Sequence, residues 1–350
     1  MSKLRLILII VGVFAFMLIG FLSLRSARPV VELAAETVVK VGPVPVTNTM
    51  ITSWIVIVLL IGFFFLATRK MSVVPRGLQN FGEMILEALF NLAVGTAGEK
   101  HGRRFFPVVA TIFLFVVTSN WLGLFPVVAT VGKVVELGSH GDKFHAEGAV
   151  FNEVGGINVI MPGVPSWPPH EPESIFLEVP DDAPLEEKEA ALHEATADLK
   201  EDEKAAVLFP FFRSVNTDLN ATLALAIMSA IFVEFWGIST QGFFRYAGKF
   251  FNFKGGPVGL FVGVLELIAE LARLLSFTFR LFGNIFAGEM LFLVILFLLP
   301  VVALDLVYGL ELFVGLIQAY IFAMLTLVFG VIAVTSHEES DAHEREHQVS

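Results

Sequence analysis

Residues 273–290 read Arg-Leu-Leu-Ser-Phe-Thr-Phe-Arg-Leu-Phe-Gly-Asn-Ile-Phe-Ala-Gly-Glu-Met, inside an apolar stretch that runs from Pro257 to Pro300. Five ionisable side chains interrupt that stretch: Glu266, Glu270, Arg273, Arg280 and Glu289. A charge at bilayer depth costs roughly 2.5–3.5 kcal/mol on insertion scales, so each of these is a functional candidate. Arg280 is the one to explain, because a guanidinium does not shed its proton in a protein.

The surrounding composition makes the bilayer the right reference. Hydrophobic residues make up 55% of the 350 positions and charged residues only 16%, too little polar surface to cover a soluble globule of this size. Thirty-six Phe against three Tyr also suit lipid-facing helices. The absence of Cys removes disulfides, thiolate metal sites and a cysteine nucleophile. The net charge of −11 is local: Val131 to Pro210 holds 17 Asp/Glu and five Lys/Arg, net −12, which leaves about +1 for the rest. An acidic extramembrane insert attached to a nearly neutral membrane body, with basic flanks, argues against a nucleic-acid partner.

Taken in order, residues 4–22 form an apolar run behind Lys3 and Arg5, and read either as a signal peptide or as a first membrane anchor. A second run, Met50–Ala67, is followed by Arg69, Lys70, Arg76, Lys100, Arg103 and Arg104, which by the positive-inside rule places 69–104 in the cytoplasm. Within it, Leu78, Phe81, Ile85, Ala88, Leu89 and Leu92 recur at helical spacing, the mark of an amphipathic interfacial helix over 78–95. Phe106–Val128 returns outward. The insert's Gly/Pro-rich first part reads as irregular and Pro184–Ala206 as a surface helix. Leu219–Gly242 comes back in to Arg245, Lys249 and Lys254. One helix over 257–300 would be about 66 Å long against a bilayer core of roughly 30 Å, so that stretch is either two spans or one long tilted helix. Residues 301–335 pose the same choice, and parity places the polar tail inside. The expected architecture is an all-α polytopic membrane protein of five to six transmembrane helices. Its segments are 1–25, 26–130, the acidic extracytoplasmic insert 131–210, the channel helices 211–336 and a polar cytoplasmic tail 337–350.

On a helix, Arg273, Arg280 and Asn284 share one stripe, with Ser276 and Gly283 beside it. Glu289 falls near the face opposite Arg280. In the last segment Glu311, Gly315 and Gln318 share a second stripe, so the two polar ridges are expected to pack towards each other or towards a common aqueous path.

The strings Arg280-Leu-Phe-Gly-Asn284-Ile-Phe-Ala-Gly-Glu289 and Gln318-Ala-Tyr-Ile-Phe-Ala-Met-Leu-Thr326 closely resemble signature segments of subunit a, the stator channel subunit of rotary F-type ATP synthases. Ser119-Asn-Trp-Leu-Gly-Leu-Phe-Pro126, Asp218-Leu-Asn220-Ala-Thr-Leu-Ala-Leu and the Ser-His-Glu-Glu at 336–339 extend the resemblance to roughly 45–130 and 210–340, leaving 1–25 and 131–210 outside it. It implies no catalysis by the chain alone and no cofactor or metal, but two offset proton half-channels that serve a rotating ring of c subunits and couple ion flow to ATP synthesis. Arg280 would be the fixed charge between the half-channels, flanked by Asn284 and Gln318. Glu289 and Glu311 would line the outer half-channel, with Asn220 and Asp218 nearer its mouth; Ser276, Arg273 and Glu266 would belong to the inner side. The family often places His at one of the two relay positions, and this sequence has Glu at both. The implied partners are the c-ring, the subunit b peripheral stalk, the lipid bilayer and H⁺ rather than Na⁺, in a bacterial plasma membrane. The residues alone also permit blander readings: Asp218 and Asn220 as a helix cap, Glu266 and Arg273 as an interfacial ion pair, Asn284 and Gln318 as interhelical glue. The runner-up function is a secondary transporter whose buried Arg binds an anion, which predicts internal repeats and interrupted helices.

Overall fold

The computed structural model describes residues 35–125, 131–136, 147–154, 157–159, 174–176, 184–197, 203–250, 256–298 and 302–335, together with Gly12 and Val128. The apolar run 4–22 and the polar tail 337–350 lie outside the described residues. Contacts divide the chain into two compact units, one built from Thr49–Gly123, Ser214–Phe286 and Leu312–Ser350, the other from Met1–Asn48, Leu124–Arg213 and Ala287–Glu311.

The first unit is helical. Helix α1 (Asn48–Thr68) is a single apolar span, about 31 Å long at 1.5 Å per residue. Helix α2 (Leu78–Gly123) is broken at Gly98, where φ 72° and ψ 168° leave helical geometry, a conformation that glycine adopts without a Cβ penalty. Before the break lies the amphipathic segment, but its buried face is Gln79, Gly82, Leu89 and Ala93, while Leu78 and Phe81 are exposed. The stripe read from the sequence is therefore offset from the face that packs. After the break, α2 turns apolar and buries Phe105, Val109, Ile112 and Val116. Helix α4 (Leu219–Gln241) begins at Asp218, which accepts a hydrogen bond from the Asn220 amide at 2.9 Å and caps the first turn. A short helix α5 (Phe243–Ala247) precedes α6 (Gly256–Leu298) and α7 (Val302–Thr335).

Both long segments are single helices. At 43 and 34 residues, α6 and α7 extend about 64 Å and 51 Å, which resolves the length question against two short spans in either stretch. Four described helices are long and apolar enough to cross a membrane: α1, α2, α4 and the Leu306–Thr335 part of α7. Helix α6 has the length and is set apart by its charges.

Packing in the helical unit follows the logic of lipid, where tails are as apolar as leucine and close approach holds helices together. Its two cores are rich in Ala93, Ala226, Ala319 and Ala323, with Phe105 stacked on Trp236 at a centroid distance of 4.1 Å. Large aliphatics such as Ile57, Val58, Ile61 and Leu271 are exposed. Buried polar ties also cross the bundle. Asn216 Nδ2 donates to Asn120 Oδ1 at 2.6 Å while Asn120 Nδ2 donates to the Gly315 carbonyl at 3.0 Å, and Ser229 and Thr326 share a 2.7 Å hydroxyl contact.

The second unit departs from the sequence reading. Residues 37–47 form a hairpin, β1 (Thr37–Val41) and β2 (Val44–Thr47), and the acidic insert carries an antiparallel sheet rather than an irregular chain. Its strands are β3 (Gly132–Glu136), β4 (Glu147–Val154), β5 (Ile157–Val159), β6 (Ser174–Phe176) and β7 (Glu203–Pro210), in the order β3-β7-β4-β5 with β6 also on β4. The surface helix is real but shorter than expected: α3 covers Leu185–Thr196, and its expected end, 203–206, is instead the start of β7. Strand β3 pairs with β7 from Gly132↔Pro210 to Glu136↔Ala206, which closes the two ends of the insert on each other.

Three substitutions test this packing. A Cβ at Gly330 would lie 2.7 Å from Trp236 and 3.4 Å from Phe105, so Gly330→Ala should destabilise the purified chain by about 1–3 kcal/mol. Gly62→Ala, with nothing within 4 Å, should leave its melting temperature unchanged or slightly raised. Asn120→Ala removes the acceptor of the buried Asn216 amide and should cost about 1–3 kcal/mol in the same melting measurement.

Candidate functional site

Helix α6 positions most of the candidate side chains because its two faces differ. Phe277, Thr278, Leu281 and Ile285 are buried in the helical unit, whereas Ser276, Arg280 and Asn284, each one turn from the next, are exposed. Arg280 has one hydrogen bond among the described residues, from its guanidinium to Ser276 Oγ at 3.5 Å, the outer limit of such contacts. It makes no ion pair among the described residues. On α7 the ridge behaves oppositely: Glu311, Gly315 and Gln318 are all buried. The expectation that the two ridges pack against each other is therefore not met. One points out of the chain and the other into it, because the opposite face of α6 carries the aromatic and aliphatic side chains that the bundle can hold.

Nearer the start of α6 the ionisable groups are paired. Lys249 Nζ lies 2.6 Å from Glu266 and 3.0 Å from Glu270, and Arg273 reaches Glu270 at 2.8 Å while stacking over Phe329 at 4.1 Å. Burial alone would lower the Lys249 pKa, but hydrogen bonds with both carboxylates and their charges outweigh it, so its pKa is raised and the ammonium stays charged at physiological pH. Glu270 and Arg273 also line a small cavity with Ser229, large enough for about one water at 20 Å³.

A separate group sits in the second unit. Arg213, just before α4 and 8% exposed at its side chain, lies 3.6 Å from Glu289 Oε2 on α6. Glu311 of α7 packs its carboxylate where a Cβ on Gly288 would stand, so only glycine leaves it room there. Of the two carboxylates read from the sequence as relays, Glu311 thus meets α6 at the residue before Glu289, whose own carboxylate faces Arg213. Tyr308, one turn before Glu311, meets Phe292 edge-on at 5.6 Å.

The carboxylate of Asp218 is fully committed: besides capping α4, it accepts from Thr49 Oγ1 at 2.8 Å. Asn220 beside it is exposed. Sequence reasoning missed Arg213, Lys249, Tyr308, Asn120 and Asn216. Arg213 carried a signal, as a lone cation in Phe211-Phe212-Arg213-Ser214 between apolar flanks. Lys249 was absorbed into a basic flank, and the asparagine tie depends on a tertiary contact that periodicity does not report.

The chain has clear relatives. The sequence profile described as ATP synthase A chain matches residues 50–330. The chain is 30% identical to an ATP synthase subunit a of Gloeobacter violaceus over 310 residues, 88% of this chain and 93% of that one. It is 26% identical to the subunit a of Moorella thermoacetica over 85% of this chain and 94% of that one, and 29% identical to that of Campylobacter jejuni over 75% and 80%. With a profile spanning most of its length and a relative at that identity and coverage, the chain belongs to the ATP synthase A chain family.

Proposed function

We propose that this chain works by holding Arg280 as a fixed positive charge against the ion-carrying carboxylates of a rotating c-ring. The chain is the proton-translocating subunit a of the membrane sector of an F-type ATP synthase, a multi-pass membrane protein that catalyses no reaction by itself. The observation that carries the Arg280 assignment is its isolation. Glu266, Glu270, Arg273 and Glu289 each have a counter-ion within the chain, whereas Arg280 sits on the outward stripe of α6 without one among the described residues. A lone guanidinium is costly at bilayer depth, and a passing carboxylate from another subunit supplies the missing counter-charge.

From this the mechanism follows. Attraction to Arg280 keeps the facing ring carboxylate ionised, and the guanidinium, permanently protonated, blocks protons from crossing directly between two half-channels. Each proton must then ride the ring around. Asn284, one turn from Arg280, and the buried Gln318 would steady the site. Glu289 and Glu311 would be the relays of the outer half-channel, Arg213 holding Glu289, with Asn220 near the mouth and Asp218 fixing the start of α4. Ser276, Arg273, Glu266, Glu270 and Lys249 would line the inner side. This reading puts the acidic insert outside the cell and the C-terminus in the cytoplasm of a bacterium, with the subunit b stalk as a further partner. H⁺ is the carried ion. The transporter alternative predicts interrupted helices in matching halves, and α6 and α7 are both continuous.

The test is ion flow in vesicles that carry the assembled complex with Arg280→Ala. ATP-driven acidification should vanish, while passive proton leak through the complex stripped of its soluble motor should be retained or increased; pumping near the unmutated level would overturn the divider role. Glu311→Gln should instead slow passive and driven flux together, by roughly tenfold to a hundredfold for loss of a positioned acid–base group.

A further inference from the structure

Two buried oxygens stand out in the second unit. Glu289 Oε2 and the Tyr308 hydroxyl are both shut off from solvent, and neither makes a hydrogen bond among the described residues. Glu289 is met by Arg213 at 3.6 Å as an ion pair, whereas the hydroxyl has no partner among the described residues. An orphaned buried polar group is costly, so the hydroxyl calls for a reason.

Their positions supply it. Glu311 packs against Gly288, and the Tyr308 ring packs against Phe292, so α6 and α7 run antiparallel here with 288 opposite 311 and 292 opposite 308. Glu311 and Tyr308 therefore lie on the side of α7 that meets α6, with Glu289 next in sequence to the Gly288 contact. Tyr308 lies one turn from Glu311 towards the α6–α7 connection.

We infer that the Tyr308 hydroxyl is a third relay group on the proton path of Glu289 and Glu311, exchanging protons with that path through one ordered water. The inference rests on the reading of those two carboxylates as relays. A phenol donates and accepts at once. As its oxygen takes a proton passed by that water from a carboxylic acid of the path, its own proton passes to the next acceptor; one O–H bond forms and one breaks at the phenol, which is neutral before and after. No tyrosinate forms and no further reactant is needed. An aromatic hydroxyl with no structural hydrogen bond to lose suits such a role, since each of its lone pairs and its proton remain available.

The experiment is passive proton flux, driven by a potassium diffusion potential, through the assembled membrane sector carrying Tyr308→Phe, normalised to complex content and run beside Glu311→Gln. Because the hydroxyl holds no hydrogen bond, Tyr308→Phe should leave assembly and melting temperature unchanged, yet lower flux about tenfold. Unchanged flux in Tyr308→Phe with reduced flux in Glu311→Gln would overturn the tyrosine relay and leave the carboxylate reading standing. Unchanged flux in both would remove the carboxylate reading and the tyrosine with it. If Tyr308→Phe fails to assemble, Tyr308→His, whose ring also donates and accepts protons, must conduct within about threefold of the unmutated complex. Flux at the Glu311→Gln level in that variant would equally overturn the proposal.

Discussion

A charge in hydrocarbon must be paired, wetted or left for a partner, and the structure of this chain is arranged around that constraint. Helix α6 carries five ionisable groups, and four of them are met from within: Lys249 takes Glu266 and Glu270, Arg273 shares Glu270, and Arg213 meets Glu289. The fifth, Arg280, faces outward beside Ser276. A soluble protein would hydrate such a group at little cost. A membrane protein keeps such a group where water reaches it or where another molecule completes the pair, and the proposed c-ring carboxylate is a partner of the second kind.

The same solvent explains the inverted core. Burying leucine gains little when lipid is the alternative, so the helices meet through Ala93, Ala226, Ala319, Ala323 and Gly330, and their large aliphatics face out. Polar ties then matter more per contact, which is where the Asn120–Asn216 and Ser229–Thr326 pairs belong. At Gly288 the missing side chain is what leaves room for the Glu311 carboxylate.

What the sequence made legible was what depends on composition and local period. The apolar runs gave the spans, the excess length of 257–300 gave a single long helix as one of two options, and the Arg280 and Gln318 strings gave the family. The strands of the insert were not legible because the ladder that defines them pairs residues 70 to 78 positions apart, from Glu136 with Ala206 to Gly132 with Pro210, amid Gly and Pro that read as loop. The opposed ridges misled for a related reason. Stripe arithmetic tells which residues share a face but not which neighbour that face meets, and the Phe277–Leu281–Ile285 side of α6 had the stronger claim on the bundle. Arg213 and Lys249 were visible as charges, while their roles exist only through contacts with distant helices.

The pair of glutamates gains its sense from the arginine beside it. Arg213 lies 3.6 Å from Glu289, so an ionised carboxylate there is met within the chain, whereas Glu311 has no ion pair among the described residues. A second negative charge would stand uncompensated in a low dielectric. A histidine in place of one glutamate would bring a group that is neutral or positive; here both groups are neutral or negative, and the cation beside Glu289 comes from Arg213, ahead of a different helix. That contact joins segments far apart in the chain, which is why no single stretch of sequence announces it.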